Sequence, residues 1–288
     1  MAGNSIALKE EGNRRFQRGD FTAAEALYSQ AILADPKNPA LYTNRALARL
    51  RLELWDGVVA DCTACLDRSP DNMKAHYYLS QAELQLRDYD NAVDHCRRAH
   101  ALCVALDDKS LTQITSHMLE CKRARWADKE KRRAREVAPL EAELVELLEE
   151  KKQKAVAEAV AEAAAEGGGN GDGDGDETVK AEIAAEYDAK ISTLRELVTL
   201  ARGATSETAR RKVPDWAIDD ITFGILVDPV VTKTGKSYER AAIMEHLRRQ
   251  KTDPLTREPL TVADLRPNLG LQAACEEFLD ENGWAVDW

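Results

Sequence analysis

A membrane span is the first thing missing from this chain of 288 residues. No apolar run reaches the roughly 20 residues a bilayer requires. Met1-Ala2-Gly3-Asn4-Ser5 opens directly into a charged helical pattern, so no signal peptide is expected. A disulfide framework is also missing. Cys62, Cys65, Cys96, Cys103, Cys121 and Cys275 fall mostly within helical patterns, which suits a reducing, cytoplasmic setting. Cys62 and Cys65 form a CxxC, but without a second pair or nearby histidines they read as two small packing residues on one helix face. From Val213 to Trp288 the only cysteine is Cys275 and the only histidine His246, whereas a structural zinc site needs four ligands. Metal therefore cannot hold this segment, and hydrogen bonds and ion pairs must do so.

What is present is apolar enough, at 44% hydrophobic residues, for two or three modules with cores of their own. The net charge of −11 is concentrated between Glu136 and Leu200, where 17 acidic residues face 6 basic ones. The ends of the chain are neutral overall, and the middle reads as an acidic spacer.

Residues 5–106 repeat with a period of 34, as units 5–38, 39–72 and 73–106. Leu8, Tyr42 and His76 share the fourth place of their units, and Gly12, Ala46 and Ser80 the eighth. Ala24, Val58 and Ala92 recur, as do Tyr28, Cys62 and Cys96, then Ala31, Cys65 and Ala99. This is the period of the tetratricopeptide repeat, in which each helix hairpin buries its apolar face only against its neighbours and leaves a concave groove. Lys9 and Asn13 lie four apart on one helix face, Asn44 sits in unit two, and Lys74 and Tyr78 are again four apart. Lysines and asparagines converging in a groove suit a carboxylate, since charge-assisted hydrogen bonds to an anion are the stronger kind. These positions resemble the carboxylate-clamp repeats that bind the Glu-Glu-Val-Asp tails of heat-shock chaperones. The resemblance assigns the tail to Lys9, Asn13, Asn44, Lys74 and Tyr78.

Residues 111–210 read as a helical hairpin. Leu111 to Arg125 should cover the last repeat. Lys122 to Arg135 carries eight basic residues around Trp126, which is read as the solvated face of a long helix rather than as a nucleic-acid surface. Val137, Leu140, Leu144 and Leu147 alternate like a coiled-coil seam, and a second helix is expected over 178–201. The seam suggests a homodimer. The Gly/Asp tract 167–176 between the helices begins like a calcium loop. It lacks glycine at the sixth place and glutamate at the twelfth, so calcium is rejected.

The final segment, 213–288, divides at its own punctuation. Ile221 to Leu226 is apolar, Val230 to Tyr238 reads as a hairpin around Gly235, and Glu239 to Gln250 has helical spacing. The Asp253–Leu260 stretch has two prolines and reads as a rigid loop, and a last helix runs from Leu269 to Glu281. Taken singly, Ile221 and Phe223 fit an ordinary core strand. Together with Asp228-Pro229-Val230, Tyr238, Pro254, Arg257 and Pro267-Asn268-Leu269, they make the segment resemble the U-box, the zinc-free relative of the RING domain in ubiquitin ligases. The resemblance implies that Ile221, Phe223 and Pro254 receive a ubiquitin-conjugating enzyme. It implies that Arg257 holds the thioester-linked ubiquitin in its reactive pose. Such positioning can recover on the order of 7 kcal/mol in well-oriented systems.

The order of modules resembles the family of chaperone-associated U-box ubiquitin-protein ligases: a mainly α protein of repeats (1–110), helical hairpin (111–210) and small α+β U-box (213–288). It implies an aminoacyl transferase with no covalent intermediate, no cofactor and no metal. The implied partners are heat-shock chaperones, a conjugating enzyme, ubiquitin, misfolded clients and a second copy of the chain, with no nucleic acid and no membrane insertion. A non-catalytic co-chaperone or a scaffold for another partner stays open as an alternative. The segment 102–112 departs from the family pattern after the third repeat, leaving the closure of the groove open.

Overall fold

The computed structural model describes residues 2–166, 174–203 and 212–288. They form two units, one of residues up to Ala127 together with Val213–Trp288, the other of Asp128–Lys212. The fold is mainly helical, and among the described residues short strands are confined to the C-terminal segment.

Three helix pairs follow the sequence period: α1 (Ala2–Gln17) with α2 (Phe21–Ala34), α3 (Pro39–Arg51) with α4 (Trp55–Leu66), and α5 (Met73–Gln85) with α6 (Tyr89–Ala105). Their starts are local chemistry. The side chains of Asp20, Asn38 and Asn72 accept from backbone N–H groups of α2, α3 and α5, satisfying donors that a helix leaves open. Inside each pair, bulk at one position is matched by its absence at another. A Cβ on Gly12 would come within 2.6 Å of the Tyr28 ring, whereas Ala46 and Ser80 occupy the equivalent place opposite the smaller Cys62 and Cys96. The turn inside each pair carries a left-handed residue at the same register, Gly19, Glu53 and Arg87. Only the first is the residue type that adopts this conformation without cost.

The long helix α7 (Leu111–Glu166) begins by burying Leu111, Ile114, Met118 and Cys121 against the third repeat. The first part of the adjoining basic run, Lys122 to Trp126, departs from the sequence expectation, whereas Lys131 to Arg135 is exposed as expected of a solvated face. Lys122 is 5% exposed, Arg125 pairs with Asp280, Arg123 pairs with Asp287, and the Trp126 indole N–H donates to the Glu281 carbonyl at 2.9 Å. Trp126 lies over Gly283, where any Cβ would collide with it. These residues form an internal joint because their charge is matched by acidic residues some 155 to 164 positions away in the chain.

The C-terminal segment folds as a sheet of order β2-β1-β3, with β1 (Pro229–Val231), β2 (Ser237–Glu239) and β3 (Arg266–Pro267) all antiparallel. Gly235, at φ +82°, makes the β1–β2 turn. Helix α9 (Arg240–Arg249) and helix α10 (Leu269–Glu281) pack on it. Val230, Tyr238, Ile243, Leu247, Leu260 and Leu265 form its core. Glu239, expected to open the helix, ends β2 instead.

In the second unit, α8 (Asp174–Gly203) starts inside the tract read as a linker. The rest of that tract, 167–173, and residues 204–211 lie outside the described residues. Lys152 reaches Asp188 at 2.7 Å, and Ile191 is buried. Leu140, Leu144 and Leu147 remain exposed. Among the described residues no helix is long and apolar enough to cross a membrane.

Candidate functional site

Two loops in the C-terminal segment have the same architecture. In the first, the Asp219 backbone N–H donates to the Gly224 carbonyl at 2.8 Å, and Phe223 N–H returns to the Asp219 carbonyl at 2.9 Å. Asp219 Oδ2 accepts from Thr222 N at 2.8 Å, and Phe223 sits at φ +57°. In the second, Asp253 N–H donates to the Glu258 carbonyl at 2.8 Å, and Arg257 N–H returns to Asp253 at 2.9 Å. Asp253 Oδ1 accepts from Thr256 N at 3.1 Å, and Arg257 sits at φ +60°. Each loop is thus organised by an aspartate, and each puts the residue four places later in a left-handed conformation that costs a non-glycine residue on the order of 1 kcal/mol.

The residues in that position are Phe223 and Arg257, both singled out from the sequence. Phe223 is 72% exposed, and Arg257 is exposed. The run Ile221–Leu226 is therefore a loop rather than the core strand that either residue alone would fit. Ile221 is half-buried against the core, Pro254 is half-buried, and the neighbouring Leu255 is 51% exposed. A cleft of about 300 Å³ is lined by Ile221, Ala242, His246 and Arg249, with Thr112 from the start of α7. His246 joins this helix to the second loop through the Thr252 carbonyl at 2.9 Å. Sequence reading did not single out Leu255 in the second loop, nor His246 and Arg249, since nothing in the helical spacing of α9 sets cleft-lining positions apart from its other positions.

Buried carboxylates hold the segment. Asp253, 1% exposed, accepts on Oδ1 from the Tyr238 hydroxyl and Leu255 N at 2.9 Å each, and on Oδ2 from Thr234 at 3.1 Å. Asp219 Oδ1 accepts from Glu239 N at 2.8 Å, and Arg240 pairs with Asp228 at 2.6 Å. Among the described residues no three histidine, cysteine or carboxylate side chains are grouped to hold a metal ion.

Glu239 is the unusual member of the set. Its Oε2 accepts from Val227 N at 2.7 Å and Asp228 N at 3.0 Å, while the buried Oε1 has no partner. Burial, helped by Asp228 and Asp219, pushes this carboxyl up to about 7 against the pull of the two N–H groups. The folded state thus binds this proton more readily than the unfolded chain, whose carboxyl titrates near 4.5. Stability from this group is fully present below 4.5 and is lost as pH rises through about 7. Glu239→Gln, which keeps an acceptor without the charge, should match or exceed the native melting temperature at pH 8, and the difference should shrink toward pH 5. A variant that melts lower at pH 8 would contradict this account.

In the repeat groove, Asn13 Oδ1 accepts from the Tyr28 hydroxyl at 2.8 Å and from Asn44 Nδ2 at 3.3 Å. These bonds join two of the expected clamp residues and leave the Asn13 amide N–H₂ as the group it can offer a ligand. Lys74 and Tyr78 line a cavity of about 300 Å³ with Arg51, Tyr77, Ser110 and Gln113. Lys9 lies one turn before Asn13 on α1. Neither Lys9 nor Lys74 forms an ion pair among the described residues. Ser110, just before α7, and Gln113 on its first turn also line this cavity, and no repeat pattern covers them. Arg51 and Tyr77 were likewise unmarked by the clamp spacing. Cys62 and Cys65 are buried, and burial raises both thiols, Cys65 to about 11, as expected of packing residues.

The U-box domain family model matches residues 213–284, and two tetratricopeptide-repeat models match 12–52 and 63–103. The "E3 ubiquitin-protein ligase CHIP" of Arabidopsis thaliana is 34% identical over 279 residues, 96% of this chain and 94% of the relative. The "Inactive TPR repeat-containing thioredoxin TTL3" of the same plant is 32% identical over 122 residues, 42% of this chain but 18% of that protein. Among solved structures, the first repeat domain of Spaghetti (RPAP3), bound to the HSP90 peptide SRMEEVD, is 28% identical. It spans 40% of this chain and 93% of its own, with a TM-score of 0.36.

Proposed function

The chain belongs to the CHIP family of E3 ubiquitin-protein ligases, and from that premise we propose how its two sites divide the work. The U-box receives a ubiquitin-conjugating enzyme on Ile221, Phe223 and Pro254. Arg257 donates hydrogen bonds that hold the conjugated ubiquitin in a reactive pose, so ubiquitin passes to the acceptor lysine without a covalent intermediate on this chain. The groove formed by Lys9, Asn13, Asn44, Lys74 and Tyr78 captures the acidic C-terminal tail of a heat-shock chaperone. A chaperone-bound, misfolded client is thereby brought to the ligase for quality control in the cytoplasm. The exposed Leu140, Leu144 and Leu147 pair two copies of the chain.

The observation that carries this reading is the pair of equivalent aspartate-anchored loops. They present an aromatic ring and a guanidinium, at a conformational cost, where neither contributes to the core. Proteins retain such strain where a surface works on a partner.

The tail site is tested by titrating the full chain with an acidic peptide ending in Glu-Glu-Val-Asp, with a free carboxylate and as a C-terminal amide. The amide should bind at least tenfold more weakly, since it removes a charge-assisted contact. Lys9→Ala and Lys74→Ala should each weaken the free-acid peptide about tenfold or more, with self-ubiquitination unchanged. Indifference to the amide would sink the clamp, and equal loss of both activities would sink the separation of the two sites.

A further inference from the structure

Two successive residues of β2 hold the aspartates that organise the two loops. The Glu239 backbone N–H donates to Asp219 Oδ1 at 2.8 Å, and the Tyr238 hydroxyl donates to Asp253 Oδ1 at 2.9 Å. The two bonds differ in kind. The first loop is held by a main-chain group that any residue but proline supplies at that place, the second by a phenol that only tyrosine supplies. Tyr238 is wholly buried and is the bulkiest such side chain among the described residues. A phenylalanine would fill the same core volume without a polar tip to satisfy. The hydroxyl is therefore the part of this residue that packing does not explain, and its partner is the carboxylate beneath Arg257.

Asp253 Oδ1 also accepts from Leu255 N at 2.9 Å and Thr256 N at 3.1 Å, the two bonds that bend the chain toward Arg257. Those partners belong to the loop itself and move with it. The side chains that tie the carboxylate to the rest of the segment are Tyr238 on Oδ1, with Thr234 at 3.1 Å and Thr232 at 3.5 Å on Oδ2. Tyr238 alone of these meets the oxygen that shapes the loop. Burial and the adjacent Asp253 carboxylate keep the phenol above its ordinary value of 10, while Asp253 is held below 3.8. Donor and charged acceptor are thus both in place at neutral pH. Arg257, at φ +60°, holds a conformation that a looser loop would let it leave.

We propose that Tyr238 is a positioning residue for ubiquitin transfer: through Asp253 its hydroxyl fixes the backbone from which Arg257 reaches the conjugated ubiquitin. The inference rests on the role given to Arg257 above. It assigns the two bonds of β2 to two different steps. The Glu239 N–H serves the loop of Phe223 and hence docking of the conjugating enzyme. The Tyr238 hydroxyl serves the loop of Arg257 and hence the reactive pose. Removing the hydroxyl while keeping the ring leaves the first bond untouched, so the two steps can be separated.

The test is a double-mutant cycle in the full chain, with Tyr238→Phe, Arg257→Ala and the pair together. Discharge of ubiquitin from a charged conjugating enzyme to free lysine is followed against conjugating-enzyme concentration. Tyr238→Phe should lower the maximal rate about fivefold or more, as for a lost hydrogen bond to a charged group. Its half-saturating concentration should change by less than about twofold, since docking binds through the other loop. In the Arg257→Ala background the same substitution should cost nothing further, because the group it positions is gone. Thr234→Val, which removes the donor to Asp253 Oδ2, should show the same dependence on Arg257 and carries the cycle if Tyr238→Phe yields too little folded protein. A native maximal rate in Tyr238→Phe, or an equal loss with and without Arg257, would overturn the proposal while leaving Arg257 in its role. Native discharge by Arg257→Ala alone would instead remove the reading beneath it.

Discussion

Phe223→Ala should reduce ubiquitin-chain formation by about 30-fold or more while moving the melting temperature by no more than a degree or two. The asymmetry follows from the position of the ring. At 72% exposure it contributes little to the core, and exposed substitutions of this kind usually stay within about 0.5 kcal/mol of stability. An aromatic anchor at the centre of an interface, by contrast, carries about 2 kcal/mol or more of binding. Phe223 is therefore a cleaner probe than Ile221, which packs against the core of Val230, Tyr238 and Ile243 and would lose stability along with docking. The measurement is discharge of ubiquitin from a charged conjugating enzyme to free lysine, beside a thermal melt of the same preparation. Native discharge rates in Phe223→Ala, across a panel of conjugating enzymes, would remove the first loop from the docking face. Arg257→Ala, also exposed, should show the same separation. Its loss should persist at saturating conjugating enzyme if the guanidinium acts on the reactive pose.

Asp253→Ala should be the most destabilising single change in the C-terminal segment, costing about 3–5 kcal/mol. The carboxylate is buried and satisfies Tyr238, Thr234, Leu255 N and Thr256 N together. Its removal leaves several buried donors without acceptors, each a penalty of about 1–3 kcal/mol before the structure relaxes. Hydrogen exchange of the β1 and β2 amides would report the loss, and protection equal to that of the native chain would show that the second loop is held in another way. Burial works to raise this carboxyl, but the two backbone N–H groups and two hydroxyls outweigh it and hold it below its ordinary value of 3.8. Its stabilisation is therefore present above about 3.8 and is lost as pH falls through the lower folded value. Asp253 and Glu239 thus act in opposite directions in separate windows, the first failing in acid and the second weakening the fold as pH rises through about 7.

Much of this was legible because it is local. The 34-residue period placed six helices, since each repeat buries its face against a neighbour in the chain and caps itself with Asp20, Asn38 or Asn72. Helix α10 could be bounded from Asn268, whose side chain accepts from Leu271 N, to the Asn282-Gly283 stop. What escaped was decided by distant partners. The Ile221–Leu226 run has the composition of a strand, but Asp219 and the Glu239 backbone bend it into a loop. Lys122–Trp126 carries the charge of a solvated face until Glu276, Asp280 and Glu281 come to meet it.

The sequence by itself therefore determined the repeats and the U-box, the absence of a zinc ligand set in residues 213–288 and the residue types that make each site plausible. These rest on periodicity and on counting donors, which need no coordinates. Only the tertiary structure decided which charges are buried and where they find partners. It made Phe223 and Arg257 equivalent positions of two equivalent loops and placed Ser110 and Gln113 beside Lys74 and Tyr78 at the end of the repeats. The physical reason is that the energy of a charged or polar side chain depends on what replaces its water, and that replacement comes from residues far away in the chain.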